Sequence, residues 1–260
     1  MTFFASLLLI VTSLSHPVSL PVTENTASAN DSTGMNAVFP DPVSFEDSIQ
    51  SLYNTIGLAE YNLSYTAFRY GMIGYLSLEQ DHKLGAKKLI SIIDFTKPSS
   101  EKRFYTIDLE GLQVKYHTYV SHGKNTGWNT AEAFSNVVHS NASSLGFYIT
   151  AETYVGSKGY SLKLDGQDKG YNDNLRARAV VMHEADYVSE AWIKKYGRLG
   201  RSQGCPALPK EISKKIIDSI KDHTLIFAYS QNETFLKASS HLKLDNIIHT
   251  ANSRSVTTLQ

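Results

Sequence analysis

The sequence predicts an α+β fold, mainly β with flanking helices. Short β-branched and aromatic runs recur between Leu89 and Tyr229, each bounded by turn residues. An apolar helical period precedes them, from Ser44 to about residue 80, and two more helical stretches interrupt them. At 260 residues the chain is long enough for a substantial core.

In chain order, Met1 to Val11 forms a short apolar core followed by small and polar residues, which reads as a signal peptide over 1–15. That run is too short to span a bilayer, and no later segment approaches 18 continuous apolar residues. An exported protein is expected, with no membrane span once the signal is cleaved. Residues 16–43 are rich in Pro, Ser, Thr and Asn and read as a disordered linker. A helical segment over 44–80 follows. Ser44 with Asp47 resembles a capping box, and Phe45, Ile49, Leu52, Tyr53 and Ile56 share one face. A second helix is expected from near Ser64, with Phe68, Met72, Tyr75 and Leu76 inward. Both are expected to pack on a larger body.

That body is expected over 88–230. Strands are predicted at Leu89–Phe95, Arg103–Leu109, Leu112–Val120, Leu145–Ala151, Gly159–Leu164, Ala179–His183 and Thr224–Tyr229, with a hairpin turn at Glu110-Gly111. A helix over about Asp186–Tyr196 should turn Val188, Ala191, Trp192 and Tyr196 inward and stop at Gly197. Another, from Pro209 to about Lys221, should bury Ile212, Ile216, Ile217 and Ile220. Residues 231–260 read as a polar tail.

Lysine plus arginine and aspartate plus glutamate both total 25, so the formal charge is zero. No global field draws nucleic acid or an anionic membrane. Cys205 is the single cysteine, in the run Gly200-Arg201-Ser202-Gln203-Gly204-Cys205-Pro206. It cannot form an internal disulfide, so it is either a small buried hydrophobe or a working thiol. A nucleophilic thiol needs a base or a positive field, because its ordinary pKa leaves it mostly protonated at neutral pH. His183 ends a predicted strand upstream of Cys205, and the intervening helix can return the chain to meet it. Gly204 permits close backbone approach beside an oxyanion, whereas Pro206 has no amide to offer. Arg198 and Arg201 are candidate grips for a substrate carboxylate. His122 and Tyr187 are candidates to line the cleft, and Asn136, Ser143 and Ser144 to bond a peptide. No cofactor or metal is called for.

The run Ser202-Gln203-Gly204-Cys205, with its upstream strand-end histidine, resembles the Ser-His-Gly-Cys signature of the YkuD-type L,D-transpeptidases of bacterial cell walls. The chain is more similar still to a divergent branch, the murein L,D-transpeptidase catalytic-domain family. The similar stretches include Ile93-Asp94-Phe95, Val120-Ser121-His122-Gly123, Ser143-Ser144-Leu145-Gly146-Phe147-Tyr148, Asp186-Tyr187-Val188-Ser189 and Gly197-Arg198-Leu199-Gly200-Arg201-Ser202. The resemblance covers about residues 45 to 230.

The resemblance implies a β-sandwich or barrel domain with Cys205 as nucleophile and His183 as base. It implies peptidoglycan stem tetrapeptides as substrates, a thioester on Cys205, susceptibility to carbapenems, and a periplasmic or cell-envelope location in a bacterium. With water as acceptor the same site would be an L,D-carboxypeptidase. Two departures stand out: Gln203 replaces the usual histidine, and Pro206-Ala207-Leu208 replaces residues that normally include an arginine.

Other classes fit less well. Sortases place an arginine after the cysteine, and none follows Cys205 before Arg254. Papain-like enzymes need a later histidine, and His223 lacks a third member. A zinc-dependent wall peptidase would draw on His183, Asp186 and His122, but no paired His-x-x-x-His motif is present. A non-catalytic wall-binding module would leave the thiol incidental.

Overall fold

The computed structural model describes residues 41–248. The expected signal peptide and nearly all of the expected linker lie outside them. The first helix, α1 (Pro42–Ile56), begins two residues earlier than expected because Asp41 caps it. The Asp41 carboxylate accepts from the amides of Val43 and Ser44 at 2.9 and 3.0 Å, with Pro42 suited to the first turn. Ser44 is therefore the third residue of the capping box, and Asp47 is not part of it. Helix α2 (Tyr65–Gln80) starts at its expected cap, Ser64, whose Oγ accepts from the Ala67 amide at 3.1 Å.

Eight strands form one sheet: β1 (Leu89–Asp94), β2 (Phe104–Asp108), β3 (Gln113–Thr118), β4 (Gly146–Gly156), β5 (Gly159–Gly166), β6 (Val181–Glu184), β7 (Ala207–Leu208) and β8 (Leu225–Tyr229). Their spatial order is β3-β2-β1-β8-β4-β5-β6-β7. Pairs β1–β8 and β6–β7 are parallel and the rest antiparallel. Every residue of β1 and β8 is buried, as expected for central strands.

Helix α2 seats directly on this centre. A Cβ at Gly74 would stand 2.0 Å from Phe147 Cζ, so only glycine lets the helix approach β4 there. Phe147 in turn stacks on Phe227 of β8 at 4.3 Å.

The two edges of the sheet meet. Past β3, the Ser121 amide donates to the Ala207 carbonyl of β7 at 2.9 Å, and Gly123 bridges Ser202 in parallel. The architecture is thus mixed α/β with a nearly closed sheet.

Three expectations need correction. Helix α3 spans only Glu190–Tyr196, capped by Ser189 and Gly197, and buries no side chain. Asp186 to Ser189 form a turn instead, so Val188 is buried from that turn while Ala191 and Tyr196 are exposed. Helix α4 (Lys210–Ile220) buries Ile216, Ile217 and Ile220, with Ile212 only half-buried. Past residue 230, the expected polar tail carries helix α5 (Glu233–Ala238) and a 3-10 turn at Ser240–Leu242. Phe235 is fully buried there, and Ser239 Oγ donates to the buried Asp168 carboxylate at 2.5 Å. The apolar anchors are too sparse to show a helical period.

Candidate active site

The sheet's closing seam holds Cys205. Strand β6 lies on one side and the stretch 121–124 on the other. His183 of β6 pairs with Ala207 of β7 in parallel register, so Val181 and Cys205, each two residues earlier, fall side by side. The Val181 amide donates to Cys205 Sγ at 3.5 Å, and Sγ lies 3.9 Å from the Ala179 carbonyl. Ala179 itself has φ +51°, a left-handed conformation unusual for a non-glycine residue, just before β6.

His183 is buried, with Nδ1 2.7 Å from its neighbour Glu184's carbonyl. A carbonyl only accepts, so Nδ1 carries the proton and Nε2 presents its lone pair. Nε2 has no hydrogen-bond partner among the described residues. Burial holds the imidazole below its ordinary pKa, helped by the Lys158 charge, so the ring is neutral at pH 7. Burial also pushes the Cys205 thiol up, offset in part by the Val181 amide and the charges of Arg178 and Lys158. Both shifts favour the neutral forms, a thiol and an imidazole.

The Ser202–Cys205 turn is tightly tied. Ser202 Oγ donates to the Cys205 carbonyl at 2.7 Å and accepts from the Gly204 amide at 3.1 Å. Gly204 has φ +117°, and a Cβ there would stand 2.7 Å from the Ala142 carbonyl. With the Gly204 amide bonded to Ser202 and Pro206 lacking one, the Cys205 amide is the backbone donor that this stretch leaves without a hydrogen bond to the described residues. Gln203 is exposed and makes no side-chain hydrogen bond among the described residues. Tyr187 lines the same groove as His183; burial, together with the nearby Cys205, raises its phenol to about 12.

The other candidates have partners of their own. His122 is fully buried, its Nδ1 2.7 Å from an Arg103 guanidinium nitrogen and Nε2 3.3 Å from the Gly127 carbonyl. Arg103 only donates, so the Nδ1 lone pair is already taken and His122 is not free to ligate a metal. Among the described residues no cluster of three or more histidine, cysteine, aspartate or glutamate side chains is placed to hold one. Arg198 and Arg201 both lie over the exposed Trp128 ring, at 3.8 and 4.5 Å from its centre. Ser143, Ser144 and Asn136 brace the loop: Ser143 Oγ donates to the Gly204 carbonyl at 3.4 Å, Ser144 Oγ to Ser135, and Asn136 to Asp173.

Two cations beside the thiol escaped the sequence reading. Arg178 approaches the cysteine turn closely enough that a Cβ at Gly204 would stand 3.1 Å from its Nη2. Its position five residues before His183 was the available signal. Lys158 sits at the β4–β5 turn and lines the groove with His183. Nothing in its local sequence set it apart from other turn lysines.

A family model described as the L,D-transpeptidase catalytic domain matches residues 59–229. No curated protein matches the chain. Among solved structures, an L,D-transpeptidase from Mycobacterium smegmatis aligns at 13% identity and TM-score 0.34, over 55% of this chain and 59% of that one. The L,D-transpeptidase LdtMt1 in complex with imipenem aligns at 14% and 0.34, over the same shares. The K307A mutant of the helical cell shape determining protein Pgp2 from Campylobacter jejuni aligns at 12% and 0.39, over 72% and 64%. This chain thus spans less than two thirds of the length of each of these. The family match covers well over half of the sequence and includes both His183 and Cys205, and the chain belongs to the L,D-transpeptidase catalytic domain family.

Proposed function

We propose that this domain is a cysteine-dependent acyltransferase acting on peptidoglycan stem tetrapeptides. One observation carries the reading: the thiol lies at the strand edge beside β6, and His183, two residues along that strand, keeps a free Nε2 while Nδ1 is fixed. His183 Nε2 takes the thiol proton as Sγ bonds to the carbonyl carbon of the third stem residue. The Cys205 amide faces the developing oxyanion. The C–N bond then breaks, His183 returns the proton to the departing amine of the terminal D-residue, and a thioester remains on Cys205. His183 next deprotonates the acceptor. An amine of another stem gives a cross-link, a free amino acid gives exchange, and water gives carboxypeptidase action. Carbapenems, which mimic the acyl donor, are expected to acylate the same sulfur. The protein is expected to act in the bacterial cell envelope, after export.

Purified protein incubated with disaccharide-tetrapeptide tests this by mass spectrometry. Wild type is expected to release the terminal residue and form a thioester adduct, and Cys205→Ala to do neither while folding normally. Unchanged product from Cys205→Ala would overturn the thiol mechanism.

A further inference from the structure

The groove beside His183 holds about 340 Å³ and is lined by Lys158 and Gly159 of the β4–β5 turn, by His183 through Tyr187, and by Lys210. Its cations, and those around the thiol, differ in what they already bond. Lys210 lies 3.4 Å from Asp186. Arg178 donates to the Ser135 and Ala142 carbonyls and to the Ser144 and Ser140 hydroxyls, at 2.5 to 3.2 Å. Arg198 and Arg201 bond loop carbonyls and stack on Trp128. Lys158 alone among these has no hydrogen bond or ion pair to any described residue, although its charge is felt at both His183 and Cys205.

Its presentation is built into the hairpin. Gly156 pairs with Gly159, leaving Ser157 and Lys158 as the two turn residues, and Gly159 has φ +78°. A glycine in that left-handed conformation closes this two-residue hairpin with Lys158 at its tip.

The chemistry of acyl transfer supplies the ligand. The amine that departs must lie beside His183, which protonates it. The carboxylate of that same terminal residue is one Cα further on, within about 3.8 Å of chain. It therefore falls in the groove that His183 and Lys158 share. We propose that Lys158 is a specificity-determining residue that binds the free carboxylate of the donor peptide's departing terminal residue. This rests on the acyl-transfer reading above. Three unspent ammonium donors at the groove match a carboxylate; the groove's second lysine, Lys210, is shared with the exposed Asp186, and its other carboxylate, Glu184, sits against Gly159.

Binding to the Cys205→Ala protein tests this without chemistry, using calorimetry with disaccharide-tetrapeptide and its C-terminal carboxamide. With Lys158 present, the acid is expected to bind about tenfold tighter than the carboxamide, the ratio of one modest charged hydrogen bond. Lys158→Met should bring the two within about twofold, and Lys158→Arg should restore the preference, with thermal melts confirming that each variant folds. Absence of a preference for the acid, its survival in Lys158→Met, or no binding of the tetrapeptide would each overturn the assignment. Wild type that binds with this preference but never acylates overturns the catalytic reading alone.

Discussion

Two buried histidines in this domain face opposite accounts. His122 has both ring nitrogens spent, one on the Arg103 guanidinium and one on the Gly127 carbonyl, and burial beside Arg103 takes its pKa down to about 3. His183 has one nitrogen fixed by a carbonyl and the other unfilled, facing a groove. Both are neutral at pH 7, so charge does not separate them. Hydrogen-bond accounting does: the first is a strut for a buried arginine, and the second keeps a lone pair open to a proton.

The sharpest way to break this contrast is to remove each ring in turn. His183→Gln is expected to lower acylation of Cys205 by about a thousandfold, a usual value for a lost general base, with little change in unfolding midpoint. His122→Phe should do the reverse. It leaves one Nη2–H of Arg103 unpaired at full burial, while Nη2 keeps the Val120 carbonyl and the Gly127 carbonyl keeps Arg201, costing about 2 kcal/mol in urea unfolding, with acylation of the folded protein within a few-fold of wild type. Loss of acylation in a folded His122→Phe protein would end the distinction.

Acid offers an effect of comparable size with a definite sign. Unfolded His122 takes up a proton near pH 6.5, whereas the folded ring stays neutral down to about 3. The unfolded state therefore binds more protons, and stability from this group is full above about pH 6.5 and falls as pH drops towards 3. The slope is about 1.4 kcal/mol per pH unit. Urea unfolding of wild type against His122→Phe between pH 6.5 and 4.5 reads the difference; equal slopes would show that the ring titrates in place. The least effect is expected from Arg198→Ala and Arg201→Ala. Their guanidiniums lie on an exposed tryptophan, so each should cost under about 1 kcal/mol and leave acylation within about twofold, measured by the same assays.

The strands from β1 to β5 were legible because each is a run of β-branched or aromatic residues of strand length between turn residues. Strand β7 was not, since two residues, Ala207 and Leu208, carry no period. Helix α5 stayed hidden for a related reason: its single buried anchor, Phe235, sits among polar residues. That the Cys205 and His183 segments lie side by side could be read from sequence, because a helix between them returns the chain to the same edge. Arg178 and Lys158 could not be ranked, because nothing local says which cations the fold will leave unpaired. Arg198 and Arg201, close to Cys205 in sequence, are held by Trp128, a partner contributed by a loop some seventy residues earlier.

The position of β8 has a consequence for synthesis. It is the last strand in sequence among the described residues, yet it lies between β1 and β4, and apart from the closing seam beside Cys205 it is what joins the two halves of the sheet. A ribosome that stalls before Leu225 therefore releases two half-sheets, each with an unpaired edge made of a strand meant for the interior, β1 in one and β4 in the other. Such edges template pairing between chains. A chain cut before Leu225 is therefore expected to aggregate rather than to fold as a smaller domain.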